Sequence, residues 1–117
     1  MAMKLEDILR LVNGKVKGGR ITNEPEVEHV FASDLMSDVL TIKNANRLML
    51  ITGLCNLQTI RTCEMAEVKA VLFVRGKKVT EDMVELAEEN DMLLMETEYS
   101  LFRTSGILYQ AGLQPLY

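Results

Sequence analysis

The apolar positions of the chain fall into two rhythms. Leu5, Ile8, Leu9 and Val12 recur at i, i+3, i+4 and i+7, the stripe of one amphipathic helix over residues 4–12. Asn13-Gly14 ends it, since both residues accept left-handed backbone. Gly18-Gly19 and Glu24-Pro25 read as a turn-rich link, with a short strand around Val16. From residue 27 a different order begins. Residues 27–32 alternate loosely, as a strand does, and end in Ser33-Asp34; residues 37–42 suit a short helix. Leu48-Met49-Leu50-Ile51 and residues 70–74 are continuous apolar runs, the pattern of strands buried on both faces. Gly53 closes the first run and Arg75-Gly76 the second, and residues 92–95 form another strand.

Helices are predicted between and after these strands. Asn56 caps one over residues 57–67, Thr80 caps one with Met83, Val84, Leu86 and Ala87 on its apolar face, and Ser100 caps a last one bearing Leu101, Phe102, Leu108 and Ala111. Glu81-Asp82 suit the positive end of the second helix, and Gly112 and Pro115 read as the end of the third. Strands alternating with helices imply crossover units and a parallel sheet. Right-handed crossovers then place helices on both faces. The expected fold class is α/β, a three-layer α/β/α sandwich around a mostly parallel sheet of about five strands, one of them an added edge. Residues 1–117 are expected to form a single domain, with the helix and glycine-rich link of residues 1–26 packed on it, because so short a segment cannot fold alone.

Composition narrows the function classes. The chain has 117 residues, 48% hydrophobic and 26% charged, which is ordinary for a globular domain. Its net charge is −4 and its pI about 5.0, against the basic face of a nucleic-acid binder, so no nucleic-acid partner is expected. The one basic cluster is Arg75, Lys77 and Lys78, read as a solvated turn. No apolar run is long enough to span a membrane, and the N-terminus turns acidic at once, unlike a secretory signal. Two cysteines make no disulfide framework. Together these features predict a cytoplasmic protein.

In an open parallel sheet, ligands bind at the carboxyl ends of the strands. The residues there are Ser33, Asp34, Thr52, Gly53, Thr97 and Glu98, with Asn56 and Ser100 opening the following helices. They offer carboxylates, hydroxyls and backbone N–H groups, and they are the candidate ligand-binding set. Polar strand ends are also what any such fold shows. Neither G-x-x-x-x-G-K-[ST] nor G-x-G-x-x-G is present, so neither familiar phosphate cradle is built. His29, the only histidine, lies inside a strand. Cys55 precedes a helix N-terminus, where a thiolate is favoured, but a buried inert cysteine is the commoner case. No cysteine–histidine metal spacing exists; Glu96 and Glu98, joined by Asp34, are the one weak candidate for a divalent ion. No metal, cofactor or catalytic residue is expected. The eight methionines fall largely at core positions.

Residues 27–113 resemble the DRTGG domain, a family named for an Asp-Arg pair and a Thr-Gly-Gly turn. Asp34 matches the family aspartate after the first strand, and Leu35 stands where the arginine would be. Thr52-Gly53 match the Thr-Gly, and Leu54 replaces the last glycine. The stretch from Val71 through Arg75-Gly76, the helix of residues 81–89, the strand of residues 92–95 and Thr97-Glu98-Tyr99-Ser100 is also similar to the N-terminal domain of HPr kinase/phosphatase. The resemblance implies the three-layer fold of that domain and of the MurF N-terminal domain. It also implies a sensory or regulatory role beside CBS pairs, phosphotransacetylases or kinases. The catalytic P-loop of HPr kinase lies in a separate domain, so kinase activity does not carry over.

The leading expectation is a non-catalytic regulatory module that senses a small anionic or nucleotide ligand at the strand ends, as a homo-oligomer or beside a partner enzyme. The alternative is an adaptor for a neighbouring metabolic enzyme or kinase. A third reading is a small enzyme using Cys55, or Asp34 with His29.

Overall fold

The computed structural model describes residues 2–19 and 26–117. Its elements run in the order β1 (Met3–Lys4), α1 (Leu5–Leu11), β2 (Lys15–Gly19), β3 (Glu26–Val27), β4 (His29–Ala32), α2 (Met36–Val39), β5 (Leu48–Thr52), α3 (Leu57–Ala66), β6 (Ala70–Phe73), α4 (Glu81–Glu89), β7 (Leu93–Glu96), α5 (Leu101–Gln110) and β8 (Gln114–Pro115). Six strands form one sheet in the order β2-β7-β6-β5-β4-β8, and β1 and β3 make a separate antiparallel pair. The ladders among β4, β5, β6, β7 and β8 are parallel; only β2 runs antiparallel, beside β7. The architecture is the expected three-layer α/β/α, with a mixed, mostly parallel sheet.

The two faces can be read off the pleat. Leu48, Leu50, Val71, Phe73 and Leu94 turn to one side and pack against Met36 and Val39 of α2, Ile60 and Cys63 of α3, and Met83 and Ala87 of α4. Met49, Ile51, Leu72, Leu93 and Met95 turn to the other side and meet Leu5 and Ile8 of α1 and Leu108 of α5. The placement follows from the handedness rule. The steps β4 to β5 to β6 to β7 all move one way across the sheet, so their helices share a face. The step from β7 back to β8 reverses, so α5 lies on the opposite face. Adjacent strands β6 and β7 therefore send their outgoing chains to opposite faces, which defines a topological switch point at their carboxyl ends.

Four sequence expectations are corrected. The sheet has six strands where about five were expected, because the chain after α5 returns to the sheet. Gln114 N–H donates to Glu28 O at 3.1 Å and Leu116 N–H to Val30 O at 3.2 Å. Pro115, read as a helix stop, is tolerated there because an edge strand needs no second donor row. The strand read over residues 27–32 splits at Glu28, its first part pairing with β1 and its second with β5. The short helix expected over residues 37–42 is Met36–Val39, followed by turns. Gly18-Gly19 lie in a strand, not a link. A side chain at Gly18 would press on Val84 Cγ2 at 2.6 Å, and one at Gly19, whose φ is +93°, would overlap the Met92 carbonyl. Both glycines let β2 approach β7 and α4, with the register shifting between Val16 and Gly18. Glu24-Pro25 lie outside the described residues. Among the described residues, no helix is long and apolar enough to cross a membrane.

Gly19→Ala combines positive-φ strain with a backbone overlap. It is expected to destabilise by at least about 2 kcal/mol in urea unfolding monitored by circular dichroism.

Candidate functional site

The carboxyl edge of the sheet carries two polar clusters. The first joins β4 to β5. Asp34 Oδ1 accepts from Thr52 Oγ1 at 2.9 Å and from Gly53 N–H at 2.7 Å, and Thr52 Oγ1 in turn accepts from Leu54 N–H at 3.1 Å. Thr52 is fully buried at the end of β5, so its hydroxyl requires a partner; Asp34, exposed beyond β4, supplies one. Asp34 Oδ2 accepts no hydrogen bond among the described residues. Beside this latch, Ser33 Oγ accepts from Leu35 N–H at 3.0 Å in a local turn. Asn56 Oδ1 caps α3 by accepting from Thr59 N–H at 2.9 Å.

The second cluster sits at the switch point. The chains leaving β6 and β7 stay paired past the strands: Arg75 N–H donates to Tyr99 O at 2.7 Å and Gly76 N–H to Thr97 O at 3.0 Å. Arg75 and Gly76 both have left-handed backbone, with φ of 61° and 73°, which turns the chain toward α4. Thr97 faces inward, its Oγ1 donating to Val12 O at 2.6 Å and accepting from Tyr99 N–H at 3.2 Å. It ties the end of β7 to the end of α1 and is 3% exposed, so it has no surface to offer a ligand. Ser100 caps α5 by accepting from Arg103 N–H at 3.1 Å, and the Arg103 guanidinium lies 3.7 Å above the Tyr99 ring.

Glu96, read from the sequence as a strand-end residue and a weak candidate for a divalent ion, is the buried carboxylate of this cluster. Its side chain is 6% exposed. Oε2 accepts from Val79 N–H at 2.7 Å, while Oε1 has no hydrogen-bond partner among the described residues and faces Lys78 Nζ at 3.6 Å. Lys78 also lies 4.0 Å from the exposed Glu98. Lys78 is exposed in the solvated turn that the sequence suggested, and it is also the counter-ion of a buried carboxylate. An ammonium stands between the two glutamates proposed for a divalent ion. Asp34 lies three strands away, about 14 Å at ordinary strand spacing. Among the described residues no group of three or more His, Cys, Asp or Glu side chains is close enough to hold a metal.

The candidate residues therefore divide. Ser33, Asp34, Thr52, Gly53 and Asn56 come together around the β5–α3 turn. Thr97, Glu98 and Ser100 belong to the switch point, roughly 10 Å along the edge from β5. His29 and Asp34 are not a dyad, since His29 starts the strand that Asp34 follows, roughly 15 Å away in extended chain. Burial, and then the charge of Glu96, push the Cys55 thiol up to about 11, against a smaller lowering by Lys77. The Cys63 thiol rises to about 12 through burial alone. Neither cysteine is a thiolate at neutral pH.

A separate concavity of about 440 Å³ opens at the β8 edge, between α5 and the outer side of β4. Phe31, Phe102, Tyr109 and Tyr117 line it, with Gly106 of α5. Phe102, Gly106 and Tyr109 share one helix face at i, i+4 and i+7, a spacing visible in the sequence.

Two outcomes follow from this geometry. Thr97→Val keeps the shape but leaves the Val12 carbonyl without its hydroxyl donor, so the urea midpoint should fall by the equivalent of about 1–3 kcal/mol, with an unchanged slope. Both thiols have native values above their ordinary 9.0. Their contribution to stability is therefore complete below pH 9 and is lost as pH rises toward about 11 and 12. Iodoacetamide should accordingly label native Cys55 slowly at pH 7–8, and melting temperatures should decline above pH 9.

No family model matches the chain, and no curated protein matches it. Among solved structures it is similar to the CBS and DRTGG domains of the regulatory region of Clostridium perfringens pyrophosphatase, crystallised with its activator, diadenosine tetraphosphate. The TM-score is 0.77 at 15% identity, over 93% of this chain and 47% of that one. This chain thus spans about half the length of the one it matches. The likeness agrees with the resemblance carried by Asp34 and Thr52-Gly53: the chain has a DRTGG-like α/β fold.

Proposed function

We propose that the chain is a non-catalytic regulatory module that senses a small anionic ligand, a nucleotide in the first instance, at the carboxyl ends of its strands. The observation that carries this reading is the Asp34 carboxylate. One oxygen is consumed in the latch with Thr52 and Gly53, and the other is exposed and unpaired among the described residues. A carboxylate so held accepts from a sugar hydroxyl and repels a phosphate. The phosphate charge is better placed further along the edge, where Arg75 and Lys77 are exposed. Ser33 and Asn56 flank the hydroxyl end of such a ligand, and Glu98 and Ser100 border the other. Thr97 supports the rim from inside through Val12. The first turn of α4 is acidic, with Glu81 and Asp82, whereas those of α3 and α5 are not, so the latter two favour an anion. The matched clostridial region was crystallised with a nucleotide activator, which supports the same ligand class.

Catalysis has no support in the geometry, because Cys55 stays protonated and His29 stands apart from Asp34. The adaptor reading is favoured by one observation, the exposed apolar side chains Leu35, Leu40 and Met65 around α2 and α3. Size-exclusion chromatography with light scattering, alone and with a candidate partner enzyme, measures that reading and the expected homo-oligomer directly.

The ligand reading is tested by a thermal-shift screen of nucleotides, acyl phosphates and phosphosugars. A ligand present at one hundred times its dissociation constant stabilises by about 2.7 kcal/mol. Asp34→Asn keeps an acceptor for Thr52 and Gly53 but loses the free carboxylate oxygen, so it should preserve the fold and abolish the shift. A screen with no positive, or a positive indifferent to Asp34→Asn, overturns the strand-end site.

A further inference from the structure

The switch point holds an arrangement of charges that does not balance. The Glu96 side chain is 6% exposed, and its Oε1 has no hydrogen-bond partner among the described residues. Lys78 Nζ faces it at 3.6 Å and stands 4.0 Å from Glu98 Oε1, beyond hydrogen-bond length in both cases. One ammonium thus serves two carboxylates and hydrogen-bonds neither. Glu98 Oε2 lies over Gly76, where a Cβ would overlap it, so the glycine lets the second carboxylate fold in beside the first. A buried carboxylate oxygen without a donor is costly. Glu96 Oε1 calls for a cation closer than Lys78 comes.

The edge beside it is built for an anion. Thr52 pairs with Phe73 and Phe73 with Glu96, so Thr52 and Glu96 stand in one row on the face that carries α3 and α4, about 10 Å apart. Asp34 sits at the Thr52 end of the row. The start of α3 lies near the row: its first turn has no acidic residue, and the Cys55 thiol just before it feels the charges of both Glu96 and Lys77. Arg75 and Lys77 are exposed in the loop that leaves β6.

The geometry points to Glu96 and Glu98 as the protein half of a divalent-cation site of the magnesium class, completed by the di- or triphosphate of the ligand. The site rests on the strand-end reading above and names the ligand class more closely. Mg²⁺ is commonly held by one or two carboxylates together with the phosphates of its ligand, not by a cage of side chains. Two carboxylates therefore suffice, although no three His, Cys, Asp or Glu side chains gather among the described residues. The Lys78 ammonium occupies the position the metal takes. Two positive charges in its place balance both carboxylates. Lys78, 68% exposed, breaks no hydrogen bond in leaving and joins Arg75 and Lys77 around the phosphates. The span sets the length of the ligand. A hydroxyl on Asp34 and a metal on Glu96 lie about 10 Å apart, which a sugar with one phosphate does not cover and a di- or triphosphate does.

Neither Asp34 nor Glu96 is assigned to a base, so ATP and AMP serve as probes, each titrated calorimetrically into the full chain in MgCl₂ and in EDTA. Mg²⁺ should tighten ATP at least about tenfold and leave AMP unchanged, since only the longer chain reaches the carboxylates. Glu98→Gln, at an exposed position, should remove that gain and tighten ATP in EDTA, because a negative charge beside the phosphates is gone. Glu96→Gln keeps an acceptor for Val79 N–H and should remove the gain in a second variant, with circular dichroism checking its fold. Glu64→Gln, an exposed charge change on α3, should behave as the parent. Asp34→Asn should weaken ATP alike with and without Mg²⁺. Mn²⁺ in place of Mg²⁺ should broaden the amide signals of Lys78 and Glu98 most, and only with ATP present. The metal site is overturned if Mg²⁺ does not tighten ATP, if AMP gains as much, or if the gain survives in both glutamate variants. ATP binding that is lost in Asp34→Asn would then still support the strand-end rim. Failure of both nucleotides to bind under either condition overturns the rim and the metal site together.

Discussion

Strands β5, β6 and β7 have no solvent face. Every residue in the three is buried, so each must be apolar or find a polar partner inside the protein. Two are polar, and both stand at the carboxyl ends. Thr52 closes β5 and Glu96 closes β7. Each draws a loop onto the sheet to satisfy it: Asp34 from the β4–α2 segment for Thr52, Val79 and Lys78 from the β6–α4 loop for Glu96. The carboxyl edge is therefore organised by the need to pair two buried polar side chains, and that need is what gives it a defined shape.

The same logic separates residues that shape the edge from residues that can meet a ligand. Thr97, Asn56 and Ser100 are spent on the backbone, the first against Val12 and the other two as helix caps. Asp34 is only half spent. Glu98 is exposed, with one lysine near it.

The sheet edges are handled differently from its centre. At one end, β2 lies antiparallel with two glycines and a register shift, and a lysine-bearing face toward water, which discourages further pairing. At the other, β8 is short and carries Pro115, whose missing N–H is no loss on the outer side of the sheet, and Leu116 N–H still bonds Val30 O beyond it.

The sequence by itself determined the layers. Continuous apolar runs at residues 48–51 and 70–74 could only be two-face strands, and Asn56, Thr80 and Ser100 announced their helices by capping chemistry that acts within three residues. Asp34 and Thr52-Gly53 were legible as strand-end residues for the same local reason. Tertiary structure decided what local rules do not reach. Whether Gly18-Gly19 form a link or a strand depends on Val84 and Met92, more than 60 residues away. That Pro115 fits in a strand depends on β8 lying at the edge of the sheet, beside β4. That Thr97 is closed while Asp34 is half open, that Lys78 neutralises Glu96, and that four of six rings gather at one edge are facts of long-range packing. The physical reason is common to them all: caps, turns and periodicity are short-range energies, while the pairing of a buried polar group is decided by whichever distant segment the fold brings to it.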